Sequence, residues 1–328
     1  MCDAPVQMSG MDQSLNRRSL GMGASILAFL VVFFLAFYPF SISYNEVFWK
    51  ELLDAGHLLL FGFVALVFYN IFLAVEGMAS RRYVSALVVS MLLALLVEEV
   101  QPFVGRTASL EDFINGGFGI LIALSGLWLW NQQDTRTLKL FYFLVSVLIV
   151  VNALRPAWHE WKVISWRDAN FPVLADFEDE IELSLWRTQA GGKGEPTRIS
   201  LTRDNATHAN LSLAVHTGGG SWAGIAYRAS NLDWHQFSKL SLDVNNPAEP
   251  FVLHVRIDDD GDVSKYGMRF EKAYPLSSGL NKIEIGMDEI ENGPRRRKLN
   301  TRMIDRLILF TGKNEPRRSF YIDNLRLS

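Results

Sequence analysis

Cysteine is almost missing from this 328-residue chain: Cys2 stands alone, so no internal disulfide can form and no cage of thiolates can hold a metal. A strong net charge is missing as well. Lysine plus arginine (32) nearly balance aspartate plus glutamate (35), and the resulting net charge of -3 leaves no broad basic field for nucleic acid. Gly-x-Ser-x-Gly, His-Glu-x-x-His and the glycine-rich phosphate loop do not occur, which removes the best-marked hydrolase, metalloprotease and nucleotide-binding chemistries. Nor does any segment repeat, as an inverted-repeat transporter would require.

Apolar residues are abundant instead, at 49%, and they are unevenly placed. Up to about residue 155 the chain is dominated by Leu, Val, Phe and Ala; beyond it charge and short alternating segments take over. Ser19 to Asn45 carries no charge, and about 20 such residues cross a hydrocarbon core of roughly 30 Å. This run is too long for a signal peptide and reads as an uncleaved first span. Further spans are expected near 56–75, 83–103, 110–131 and 138–156, making five. Arg17 with Arg18, Arg81 with Arg82, and Arg136 with Lys139 fall on one side, which the positive-inside rule makes cytoplasmic. The organisation predicted is a cytoplasmic tail (1–18), a five-helix membrane bundle (19–156), a linker (157–172) and an exported domain (173–328). Trp158 and Trp161 suit the outer interfacial belt.

The third span poses a problem of charge. Only 15 uncharged residues separate Arg82 from Glu98, about 22 Å of helix, so the span must take in Glu98 and Glu99. Carboxylates so placed normally face a bundle interior or a watery cavity. Glu98 and Gln101 share a helix face, while Glu99 points elsewhere. Asp54 and His57 at the start of the second span, and Arg106 and Asp112 after the third, fall at the same depth. Two structural roles compete with a functional one: Ser109-x-x-Asp112 is a capping-box pattern, and Arg106 can pair with a glutamate as a plain salt bridge.

These residues resemble the VanZ-like membrane proteins. The resemblance spans about residues 20–131 and places Asp54, His57, Glu98, Gln101, Arg106 and Asp112 on the family pattern, with Gly119 in its glycine position. The family's usual Asn four residues after the Asp is Gly116 here, and Asp54 and His57 are three apart where four is commoner. The resemblance implies the inner membrane of a bacterium and a cell-envelope role, the founding members being linked to glycopeptide resistance.

In the second half, KLSLDVN, FVLHVRID, NKIEIGM, RLILFTG and FYIDNLRL alternate apolar and polar residues between turn clusters, which predicts an all-β sandwich. Along FVLHVRID, Leu253, Val255 and Ile257 face the core, with His254, Arg256 and Asp258 opposite. The DFEDE opening, the middle NLDW…VRIDD…RF and the closing YIDNLRL resemble jelly-roll carbohydrate-binding modules over about 173–328. That resemblance implies a structural calcium, here drawing on Glu178 and Asp323, although Asp323 can equally well order the last strand. Trp222, Tyr227, Trp234 and Tyr266 are the candidate sugar platforms, with Arg269, Arg256 and His254 as hydroxyl-binding groups; each aromatic has a competing role as a core anchor. The acidic DDDGD (258–262) lacks the closing glutamate of a calcium loop and reads as a solvated hairpin turn, and GPRRRK and EPRR as solvated basic loops.

Two functions follow. One is a non-catalytic envelope protein anchored among membrane lipids, whose exported domain binds a surface or lipid-linked glycan and whose carboxylate cluster seats a headgroup or ion. The other is a membrane enzyme in which Glu98 or His57 serves as general acid or base on a lipid-linked substrate, with Arg106 holding a phosphate.

Overall fold

The computed structural model describes residues 46–75, 81–104, 109–133, 135–192, 194–263 and 265–328. The expected first span, 19–45, lies outside them, as does Arg106. Among the described residues four helices are long and apolar enough to cross a membrane: Val47–Ala74, Arg82–Phe103, Leu110–Trp130 and Arg136–Asn170. We label the four long α-helices α1 (Glu46–Ala74), α2 (Arg82–Val100, continued by a short 3-10 turn, Gln101–Val104), α3 (Leu110–Trp130) and α4 (Arg136–Asn170). The chain divides into two compact units, one ending at Glu160 and the other comprising Trp161–Ser328.

Two helices run further than hydropathy predicts. α1 begins ten residues before the expected 56, because Lys50 and Asp54, four apart on one face, bond at 2.6 Å and make the charged first turns a good helix. α4 passes through Pro156 and continues through the expected linker to Asn170. The AWHEWKVISWRDAN stretch carries no glycine or proline to stop it, and Val163 and Arg167, again four apart, are buried in the second unit.

In the helical unit the core is built by Phe61, Val64, Ala65 and Tyr69 of α1, Ala86, Ala94 and Val97 of α2, and Ile120 and Leu124 of α3. Glycine sets the closeness of α1 and α3. A Cβ at Gly119 would collide with the Leu58 carbonyl, and one at Gly116 would come within 2.8 Å of the Phe61 ring.

The second unit is a sandwich of two antiparallel sheets. One runs β3 (Glu195–Thr202), β4 (Ser212–Gly218), β11 (Ser319–Leu327), β6 (Lys239–Asn246), β9 (Gly279–Gly286), with β1 (Val173–Ala175) also on β11. The other runs β2 (Trp186–Gln189), β5 (Gly224–Leu232), β10 (Ile304–Thr311), β7 (Phe251–Asp259), β8 (Phe270–Leu276). Leu253, Val255 and Ile257 of β7 are buried between the sheets, as the alternation predicts. They meet Ile225 and Tyr227 of β5, Leu307 and Leu309 of β10, and Leu242 and Val244 of β6 in one core.

The acidic run departs from expectation. Asp258 and Asp259 belong to β7 and are buried, not solvated. Asp258 accepts bonds from Arg256 Nε (2.7 Å) and Arg306 Nε (3.0 Å). Asp259 pairs with Arg297 and accepts the Asn300 N–H at 2.7 Å. Burial pushes the Asp259 carboxyl up, but the Arg297 guanidinium and these N–H bonds outweigh it and hold the group below its ordinary value. The basic loops are solvated, with Arg295, Arg296, Lys298 and Arg317 exposed, and form surface ion pairs: Lys298 with Glu291, Arg317 with Glu195 and Arg318 with Glu315.

Candidate functional site

The outward face of the five-stranded sheet carries a cleft of about 470 Å³. Its floor is apolar. Ile308 and Phe310 of the central strand β10 point away from the core and form, with Ala226 of β5, a small buried cluster of their own. Register places His254 opposite Phe310, and Arg256 opposite Ile308 with Glu271 one strand further out. Gln189 at the end of β2 closes the other side.

Two exposed aromatics flank the floor. Trp222, 49% exposed, stands before β5 with its indole in T-shaped contact with Phe310 and His254, both at 6.0 Å between ring centres. Its backbone lies in the left-handed region at φ 68°, which a bulky side chain rarely adopts. The loop is pinned there. Gly220 and Glu315 exchange both backbone bonds at 2.9 Å, and Trp222 N–H donates to the Gly312 carbonyl at 3.2 Å. Tyr266, 60% exposed, follows β7, with the Arg269 and Arg295 guanidinium groups over its ring at 5.8 and 5.7 Å.

The arginines of the cleft are held by carboxylates. Arg256 gives Nε and Nη2 to Asp258 at 2.7 and 2.8 Å, and Arg269 gives Nε to Glu271 at 3.0 Å and Nη1 to the Val263 carbonyl at 3.3 Å. Such bonds fix the guanidinium planes before any ligand arrives.

The cleft thus gathers Trp222, Tyr266, Arg256 and Arg269 of the predicted sugar-binding set, with His254 packed beside Phe310. It corrects two others. Tyr227 and Trp234 are fully buried: Tyr227 shares the inward parity of Ile225, and the Trp234 backbone N–H is tied to the Thr301 carbonyl at 2.8 Å. Neither ring has a face to offer a sugar. Ile308, Phe310, Gln189 and Glu271 were not anticipated; the one available signal was that RLILFTG is apolar at both parities, so that its outward positions also had to be covered.

The predicted calcium ligands Glu178 and Asp323 are both engaged as hydrogen-bond acceptors. Glu178 Oε1 accepts the Asn210 and Leu211 N–H groups, both at 2.7 Å, which lowers its pKa. Asp323 Oδ2 accepts those of Thr207 (2.6 Å) and His208 (2.7 Å), and its Oδ1 that of Asn324 (2.6 Å). What the two carboxylates do is clamp the 207–211 loop.

In the helical unit, Asp54 and His57 of α1 and Asp112 of α3 converge, each offering an atom within 4.8 Å of the others. Glu98 Oε2 accepts the Ser109 N–H at 2.9 Å, and Ser109 Oγ caps α3 by accepting the Asp112 N–H at 3.3 Å. The capping role foreseen for Ser109 is therefore present, and it leaves the Asp112 carboxylate uncommitted. Among the described residues, buried polar atoms here without a hydrogen-bond partner include His57 Nε2, Glu98 Oε1, Asp112 Oδ1 and both amide atoms of Gln101.

No family model matches the chain and no curated protein does, so the VanZ-like resemblance of the helical half stands on its residues alone. Solved structures do match the C-terminal sandwich. The family 11 carbohydrate-binding module from Clostridium thermocellum, in complex with a beta-1,3-1,4-mixed-linked tetrasaccharide, is 17% identical over 47% of this chain and 93% of that one (TM-score 0.39). An exo-beta-agarase is 15% identical over 48% of this chain and 24% of that one (0.38). The CBM22-1 xylan-binding domain from Paenibacillus barcinonensis is 14% identical over 43% and 85% (0.30). These are likenesses of fold. They assign this chain neither a ligand nor a binding face.

Proposed function

We propose that this chain is a membrane protein of the bacterial envelope whose sandwich binds a surface or lipid-linked glycan in the cleft between Trp222 and Tyr266. The observation that carries the proposal is the half-exposed Trp222 indole, held over an apolar floor by a strained backbone. An aromatic ring stacks on the apolar face of a pyranose, and Arg256, Gln189 and Glu271 beside it supply donors and acceptors for the hydroxyls. The proposed orientation follows the basic flanks. With residues 19–45 as a first span, Arg81, Arg82, Arg136 and Lys139 remain cytoplasmic and the sandwich is exported.

The test uses the full chain. Purified in detergent, it is titrated with a glycan panel that includes mixed-linked glucan, xylan, agarose and peptidoglycan fragments, and the glycan that binds is then labelled and offered to intact spheroplasts. Binding by both, weakened at least about tenfold by Trp222→Ala, is expected. A blank panel would defeat the binding proposal, whereas binding to purified protein but not to spheroplasts would defeat the orientation alone.

A further inference from the structure

His57 is the most informative member of the buried helical cluster. Its Nδ1 lies 3.1 Å from the Leu53 carbonyl, an acceptor only, so Nδ1 carries the proton and Nε2 presents a bare lone pair. That lone pair is buried, with the residue 4% exposed, and has no hydrogen-bond donor among the described residues. Asp112, 3% exposed, has an unpartnered Oδ1, and Asp54 uses Oδ2 on Lys50 at 2.6 Å. Glu98, 6% exposed and tied to the start of α3 through Ser109, keeps an unpartnered Oε1.

Buried acceptors that face one another without a hydrogen-bond donor among the described residues are costly unless something positive completes them. We propose that Asp54, His57 and Asp112 form a binding site for one divalent first-row transition-metal ion. The donor set selects the class: an imidazole nitrogen with carboxylate oxygens suits zinc, manganese or iron, while calcium and magnesium take oxygen alone. The Nδ1–H bond to Leu53 is the outer contact that commonly orients a metal-bound histidine. Ligand atoms within 4.8 Å of one another need only small side-chain rotations to reach the roughly 3.3 Å spacing of a tetrahedral zinc shell, with metal–ligand bonds of about 2.0–2.2 Å. Two carboxylates balance the charge of the ion, and Lys50 tempers their repulsion without it.

The experiment takes the untagged full chain in detergent, stripped with EDTA, and titrates it with Co2+ as a spectroscopic probe and with Zn2+ by calorimetry. One ion per chain is expected, Zn2+ displacing Co2+ and Ca2+ failing to. His57→Gln and Asp112→Asn should each weaken binding at least about tenfold, and Glu99→Gln, an exposed change on the same helix as Glu98, should leave it unaltered. Absence of stoichiometric binding by the wild type overturns the proposal, as does binding that survives both variants. Should the variants fail to fold, X-ray absorption on the zinc-loaded wild type decides: a single imidazole with oxygen neighbours supports the site, and two or more imidazoles overturn it.

Discussion

Trp222 carries two costs at once, a left-handed φ of 68° and a half-exposed indole, and neither helps the sandwich fold. Backbone strain of this kind is worth about 1–3 kcal/mol and persists where the surroundings over-determine it. Glycine at 222 relieves the strain and forfeits the ring contacts to His254 and Phe310, terms of similar size. Trp222→Gly should therefore leave unfolding stability within about 1 kcal/mol of wild type while abolishing glycan binding; a large loss of stability would mark the indole as a structural anchor. Which aromatics face the cleft was only half legible in the sequence. The parity of GIAYRA, with Ile225 inward, already sends Tyr227 to the core, but Trp234 and Trp222 both sit in irregular chain where no parity operates. Only the tertiary pinning of residues 219–222 against 312–315 separates them.

Between elements, the α1–α3 contact is decided by the absence of a side chain. The helices approach so closely at Gly119 that a methyl group there meets the Leu58 carbonyl, a backbone atom that cannot rotate aside. Leu58 follows His57 on α1, and Gly119 lies two turns beyond Asp112 on α3, so the same contact sets the register of the cluster. Gly119→Ala should lower the amount of folded protein in the membrane and cost about 1–3 kcal/mol or more against detergent unfolding, whereas Gly56→Ala, where nothing lies within 4 Å of the added carbon, should be silent. Equal behaviour of the two would refute the close approach. Charge in an apolar run was enough to suggest from sequence that Asp54, His57, Glu98 and Asp112 meet, because lipid gives such groups nowhere else to go. Helix ends were less legible: hydropathy stops counting at Lys50 and beyond Pro156, yet i, i+4 pairing and the burial of Val163 and Arg167 carry α1 and α4 through polar sequence.

At the scale of the molecule, two units with separate cores should respond separately to pH, and Glu182 identifies the sandwich. Its side chain is fully buried in the 3-10 turn after β1, and burial pushes its carboxyl up to about 8, although the N–H groups of Phe177 (2.9 Å) and Asp179 (3.2 Å) pull the other way and Asp176 adds repulsion. The folded state therefore binds a proton that the unfolded chain, with its ordinary pKa near 4.5, has already released. The stabilisation is fully present below pH 4.5 and is lost as pH rises through about 8. Thermal unfolding of the full chain in detergent should show a transition that moves down in temperature between pH 5 and 9, by an amount corresponding to a few kcal/mol, with the helical unit melting apart from it. Glu182→Gln cannot ionise, so its sandwich transition should be nearly level across that range, at the cost of setting an amide N–H against that of Asp179. A wild-type slope that persists in the Gln variant would mean that the proton resides elsewhere, with Asp323, whose pKa is also raised by burial, the next carboxyl to substitute.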